Sequence, residues 1–315
     1  METQRRVGRG AAPGKVILFG EHAVVYGQPA IAAALGHGLG ATVIETGNRP
    51  LLQIPRWTGG GLSVSPDAQE TAGGMARAFA IAMEAVDLSS AGGFSVTIDG
   101  ELPLGVGLGS SAAFAVSLLR GLADFQRQKL AEPDLLFHAQ EIEKLFHGNP
   151  SGLDHTVAAT GHCLHFLAGK KPTFETIHLK TTIPLVVAWT PRRGTTADAV
   201  YSLRERWAAS RSHYDSLFSQ MGNISLAGRA ALEVGDLTQL GQLFQDNHRC
   251  LQACGVSDPS NDQMVDIAIA QGALGAKLTG AGQGGAVIAL CPHEPHRVVQ
   301  AMAEAGFSAL FTQVN

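Results

Sequence analysis

Pro103-Leu104-Gly105-Val106-Gly107-Leu108-Gly109-Ser110-Ser111-Ala112-Ala113 is the stretch on which the fold turns. Its three glycines let backbone N–H groups point into one concavity. The apolar run behind them predicts a helix over 110–128, whose free first N–H groups and positive dipole end face the same spot. Such a place suits a polyphosphate. Ser110 and Ser111 can cap the helix or offer oxygen to a metal, and Ala112 and Ala113 let other backbone pack close. An ordinary capped helix behind a flexible loop is the plainer reading, but the glycine density with the serine and alanine pairs favours phosphate. A Walker loop is excluded, because Gly14-Lys15 is followed by Val16 and not by Ser or Thr. Gly280-Ala281-Gly282-Gln283-Gly284-Gly285 matches the dinucleotide pattern by letter. A strand-like run, 286–290, follows it where that fingerprint must open a helix, which argues against NAD. The stretch 102–119 is uncharged and about long enough to cross a bilayer. Pro103 and the glycines break it, so it reads as a loop feeding a buried helix.

Working outward, strands are predicted at 15–19 and 41–45, a helix at 73–86 with Met75, Phe79, Ala82, Met83 and Val86 on one face, and a half-buried strand at 94–98. Glu132-Pro133-Asp134 starts a helix that runs to about His147. The turn-rich run His147 to Gly152 leads into a third helix from Ser151 or Gly152. Strands follow at 161–167 and 184–189, then four helical patterns over 195–271. Strand (276–278), glycine loop, strand (286–290), helix and a last strand near Leu310 close the chain. Strands and helices without a regular βαβ rhythm argue α+β in two domains, with the boundary between Ala168 and Thr182.

The 315 residues suit two ordinary domains, and 45% apolar content is enough for a sizeable core. A net charge of −4 lacks the basic face of a nucleic-acid binder; Arg5, Arg6 and Arg9 read as a solvated N-terminal arm. Cys163, Cys250, Cys254 and Cys291 form no CxxC pair, and the set is too poor in ligands for zinc even with His248 near. Unpaired thiols and an N-terminus without an apolar signal core point to a reduced, cytoplasmic protein, with no membrane and no nucleic-acid partner.

Two acids flank the 147–152 turn. Glu143 lies in the last turns of the second predicted helix and Asp154 in the first turn of the third, so both carboxylates can face one cleft. Magnesium takes one or two carboxylates plus phosphates, and phosphoryl transfer needs a group to orient or deprotonate the attacking hydroxyl. Glu143, beside Glu141 and Lys144, reads equally well as part of a solvated helix face. A third piece is Lys15 with Glu21 and His22, in a strand and its exit. The lysine could neutralise transition-state charge, although lone Lys and His residues are usually structural.

These pieces, in this order, resemble the GHMP kinase family. The glycine-serine loop is similar to its central phosphate motif, and Lys277-Leu278-Thr279-Gly280-Ala281-Gly282-Gln283-Gly284-Gly285 resembles its third motif, a glycine loop at the active-site floor. GEHAVVYG (20–27) and HGNPSGLDHTVAATG (147–161) resemble the members that phosphorylate mevalonate. The likeness runs from about Pro13 to Leu290, weakly over 48–72 and beyond Arg204. It implies a two-domain fold: an N-terminal ATP-binding domain (1–175) like ribosomal protein S5 domain 2, a ferredoxin-like C-terminal domain (176–315), and an active site in the cleft between them.

The resemblance also implies ATP and Mg2+ as cofactors, and transfer to the C5 hydroxyl of mevalonate. Gly105, Gly107, Leu108, Gly109, Ser110 and Ser111 would hold the phosphates, Ser111 and Glu143 the metal, and Asp154 with Lys15 the chemistry. His22, Glu21, Thr196, Gly280 and Ala281 would hold the acceptor, with Thr195 as the competing register for Thr196. Another member with a phosphorylated acceptor, served by Arg192 and Arg193, and a non-catalytic protein of this fold stay open, as does a homodimer. Gln283 departs from the family's glycine and puts the geometry of its loop in question. Adenine contacts near Trp57 are not carried over.

Overall fold

Strand β1 (Val7–Phe19) begins well before the Lys15 start expected from the sequence. Its first half, Val-Gly-Arg-Gly-Ala-Ala, has the composition of a weak strand, and the packing explains the choice. A Cβ on Gly10 would lie 2.2 Å from the Gly121 nitrogen and 2.3 Å from the Ser117 carbonyl oxygen, and one on Gly8 would lie 2.4 Å from the Phe125 nitrogen. Only glycine lets this strand lie directly on the helix. The expected N-terminal arm is therefore ordered: the Arg6 guanidinium stacks 3.9 Å from the Phe125 ring centroid, and the Arg9 backbone N–H donates to Asp124 at 2.7 Å.

The computed structural model describes residues 5–56, 60–68, 74–88, 92–190 and 196–315, with backbone only at 196 and 197. They form two compact units: Met1–Gly14, His37–Leu104 and Gly109–Gly161 make the first, and Lys15–Gly36, Gly105–Leu108 and His162–Asn315 the second. Strands β1 and β2 (Ala30–Glu45) contribute to both.

In the first unit β2 pairs antiparallel with β5 (Phe94–Gly100), Ala41 opposite Ile98. β3 (Leu51–Ile54) runs parallel to β5, and β4 (Leu62–Val64) lies antiparallel to β3. Four helices complete the unit: α1 (Met75–Glu84), α2 (Ser110–Phe125), α3 (Glu132–His147) and α4 (Leu153–Thr160). Helix α2 packs on each of the other three and on β5. It is buried at twelve positions, which explains a helix apolar all round.

The second unit pairs the start of β2 with β6 (Cys163–Leu167), and β6 with β7 (Thr173–Ile177). It also holds an antiparallel sheet ordered β11 (Ser308–Val314), β8 (Ile183–Thr190), β10 (Gly285–Leu290), β9 (Gly275–Thr279). Helices α5 (Thr196–Ala209), α6 (Arg211–Val234), α7 (Leu237–Ala253), α8 (Pro259–Ala270) and α9 (Pro295–Glu304) are the four expected patterns and the last predicted helix. α7, α8 and α9 pack against the sheet. All four cysteines are buried and unpaired, and burial pushes the Cys163, Cys254 and Cys291 thiols up to about 12. The 102–119 stretch forms a loop and the start of α2, as expected, and among the described residues no helix is long and apolar enough to cross a membrane.

Candidate active site

In the loop before α2, Gly105, Gly107 and Gly109 hold φ of 76°, 89° and 70°, the left-handed region that side chains resist. A Cβ at Gly105 or Gly107 would meet nothing within 4 Å, so conformation and not crowding calls for glycine there. The N-cap of α2 is Gly109, which has no side chain to satisfy the first N–H groups. The Leu108 carbonyl accepts a 2.9 Å bond from the Lys15 backbone N–H, tying the loop to β1 within the second unit. The Lys15 side chain is buried.

In the first unit Ser110 and Ser111 are half-buried in the first turn of α2. The Ser111 hydroxyl lies 2.9 Å from His147 Nε2, so the end of α3 is tied to the start of α2. Glu143 is only 1% exposed, whereas its neighbours Glu141 and Lys144 pair with each other on the outer side of α3. That geometry removes the solvated-face reading of Glu143. Glu143 and His147 stand one helical turn apart, a spacing that puts them on one face. Asp154 is half-buried in the first turn of α4. The C-terminal end of that helix is held by Arg120, which donates to the Ala159 carbonyl at 2.7 Å and to the Ala11 carbonyl at 2.8 Å. Next to Asp154, burial lowers the pKa of His155, and the Asp154 charge partly offsets this.

One hydroxyl and one carboxylate make an oxygen donor set suited to Mg2+, and Ser111 and Glu143 fit that description. Among the described residues no group of three or more His, Cys, Asp or Glu could hold a metal by itself. A Mg2+ there would draw its remaining ligands from phosphate and water.

The second unit carries the acceptor candidates. His22 is buried at φ 60°, ψ −49°, outside the regions that non-glycine residues favour. Such a backbone costs on the order of 1–3 kcal/mol and persists only where the surroundings over-determine it. Its Nε2 lies 3.0 Å from the Ala281 carbonyl oxygen and must carry the proton it donates there. Thr279 fastens the same loop to β1, its hydroxyl accepting from the Ile17 N–H and donating to the Ile17 carbonyl, both at 3.0 Å. Glu21 is turned inward: one carboxylate oxygen pairs with Lys277 and the other accepts from Asn247 Nδ2 at 3.1 Å. Neither side chain of the ion pair is exposed at all. Burial pushes the Lys277 ammonium pKa down, and the Glu21 carboxylate pulls it the other way. Removing one partner of such a pair costs about 3–5 kcal/mol, whereas replacing both with apolar groups is often neutral.

Gln283 takes φ 55°, the conformation a glycine would adopt, and its N–H donates to the Val256 carbonyl at 3.0 Å. Asn261 brackets Gly284 with two bonds, at 3.1 and 3.3 Å. The loop thus keeps a left-handed backbone in spite of the side chain. Thr196 opens α5, while Thr195, Arg192, Arg193 and Trp57 lie outside the described residues.

The sequence reading missed His147, Arg120, Asn247, Asn261 and the role of Lys277. His147 carried a signal, its helical spacing from Glu143. Arg120 and Lys277 are cations inside apolar runs, and Asn247 and Asn261 lie in ordinary polar stretches; for all four only the packed partner shows what each does.

Comparison with known proteins gives the family. The GHMP kinases N terminal domain matches residues 71–162, and the GHMP kinases C terminal matches 229–308. The mevalonate kinase of Thermococcus onnurineus is 33% identical over 97% of this chain and 95% of its own. That of Pyrococcus horikoshii is 34% identical, with the same coverage of 97% and 95%. The chain belongs to the GHMP kinase family. As a GHMP kinase it is an ATP-dependent kinase with the two-domain α+β fold of that family. Among solved structures, L. major mevalonate kinase in complex with R-mevalonate superposes on this GHMP kinase with a TM-score of 0.85. The two are 29% identical, and the match covers 99% of this chain and 96% of that one.

Proposed function

We propose that this GHMP kinase transfers the γ-phosphoryl group of ATP to the C5 hydroxyl of mevalonate, giving 5-phosphomevalonate, ADP and a proton. The observation that carries the reading is the likeness, over nearly the full length of both chains, to curated mevalonate kinases. The left-handed glycine loop and uncapped start of α2 support the nucleotide half of the reaction.

In this reading the N–H groups from Gly105 to Ser111 hold the phosphates, helped by the helix dipole. Mg2+, held by Ser111 and Glu143, would neutralise charge on the β- and γ-phosphates. Asp154 accepts or orients the proton of the attacking hydroxyl, and Lys15 offsets the negative charge that builds on the reacting oxygens. His22, Thr196, Gly280 and Ala281 hold the acceptor, with His22 toward its carboxylate end. Glu21 contributes from the interior. The domains divide after residue 175, and the enzyme works in the cytoplasm, a setting that four unpaired buried thiols support.

An ADP-release assay over mevalonate, phosphomevalonate, homoserine and galactose tests this directly. Mevalonate is expected to be turned over with the highest kcat/KM. A preference for phosphomevalonate would shift the reading to the phosphorylated acceptor and to Arg192 and Arg193.

A further inference from the structure

We propose that the buried Glu21–Lys277–Asn247 network is the positioning device for the acceptor pocket, setting His22 and the 279–281 loop relative to one another. The proposal rests on the mevalonate reading for its kinetic test, but its structural basis stands apart from that reading. Three sequence-distant elements meet in the network: the residue after Gly20 at the exit of β1, the middle of α7, and β9.

The argument is one of ring closure. Glu21 precedes His22 in the chain. His22 bonds to the Ala281 carbonyl, four residues beyond Lys277, and Lys277 returns to Glu21. Lys277 Nζ also donates to the Leu278 carbonyl at 2.8 Å, which directs its ammonium along its own strand. The ion pair therefore clamps one side of the loop that the His22–Ala281 bond clamps on the other. Within this ring sits the strained backbone of His22, which needs restraint on both flanks to persist. A fully buried pair is a poor source of stability, because desolvation offsets most of its attraction. Asn247 reinforces this, since its Oδ1 is buried without a hydrogen-bond partner among the described residues. An amide kept at that cost, with its donor aimed at Glu21, is better explained by orientation than by stability.

The test is the neutral double variant Glu21→Leu/Lys277→Met, which removes both charges and preserves volume. A merely structural pair would leave a folded double variant with parental kinetics. Positioning predicts a folded protein whose KM for mevalonate rises by about tenfold, the scale of one lost charge-assisted hydrogen bond, with ATP affinity unchanged. His22→Ala should then add little in the double background, because the two changes remove one interaction. Imidazole 15N spectra give an activity-independent readout: the His22 Nε2–H tautomer, locked in the parent, should be lost or averaged in the variant. Parental KM and a parental His22 signal in the folded variant would overturn the proposal, as would a His22→Ala effect of full size in that background. Should the double variant not fold, Asn247→Leu decides. It deletes the orphan acceptor together with the donor to Glu21, and a smaller change in the same two readouts is expected; none would overturn the proposal. A parent that turns over no mevalonate would count against the proposed function alone, and the His22 spectra would still decide the positioning role.

Discussion

Asp154 and Glu143 are both acids at helix ends, yet their surroundings differ. Asp154 is half-buried in the first turn of α4, and Glu143 is almost wholly enclosed in α3. The accessible acid suits proton transfer and the enclosed one suits a fixed ligand role. Replacing Asp154 by Asn keeps shape and hydrogen-bonding capacity but removes the proposed base. We expect kcat to fall by about 10²–10⁴, the usual worth of general-base help, with ATP affinity little changed. Near-parental turnover measured by ADP release would rule out the assignment.

At the level of elements, what matters is how α2 begins. Gly107 at φ 89° has open space around its Cα, so Gly107→Ala introduces conformational strain without a clash. A non-glycine residue in that region costs roughly 1–2 kcal/mol. The loop should relax to a negative φ and turn its N–H groups away, raising the ATP dissociation constant about 5- to 30-fold by calorimetry. An unchanged constant would show that the phosphates are bound elsewhere. β7 illustrates the opposite case, an element the sequence reading passed over. Its residues are mostly exposed, and its Glu175 is tethered to α6 by Arg229 at 2.8 Å. Such a strand has no apolar period to read and is defined by its neighbours. β3 and β4, with four and three residues, are too short to carry a period.

At the scale of the molecule, three histidines among the described residues are held below their ordinary pKa. Burial is the leading cause for His155, His165 and His248, and Asp154 and Asp262 oppose it at the first and last. The unfolded chain then binds protons near pH 6.5 that the folded chain resists. Stability is fully present above about pH 6.5 and declines as pH falls toward the depressed native values. Urea midpoints taken between pH 7.5 and 5.5 should fall with pH, and a rise would contradict the burial assignment. His248 shows how closely a neutral ring can be specified. Its Nδ1 accepts from the Leu278 N–H at 3.4 Å and its Nε2 donates to Asp262 at 3.1 Å.

The sequence alone determined the elements whose signals are local. The glycine-serine loop and its helix, the start of α3 at Glu132-Pro133-Asp134, the four helices after residue 195 and the order of the motifs were all legible, because turn chemistry and 3.6-residue periodicity need no distant partner. Only tertiary structure decided that a run as poor in strand formers as 7–12 is β-strand, that Glu143 is inside, and that Glu21 faces Lys277. Those outcomes depend on which remote surface packs against each residue: α2 against the glycines of β1, and β9 with α7 around the Glu21 carboxylate. Burial of that kind is set by the assembled core, and no stretch of neighbouring residues encodes it.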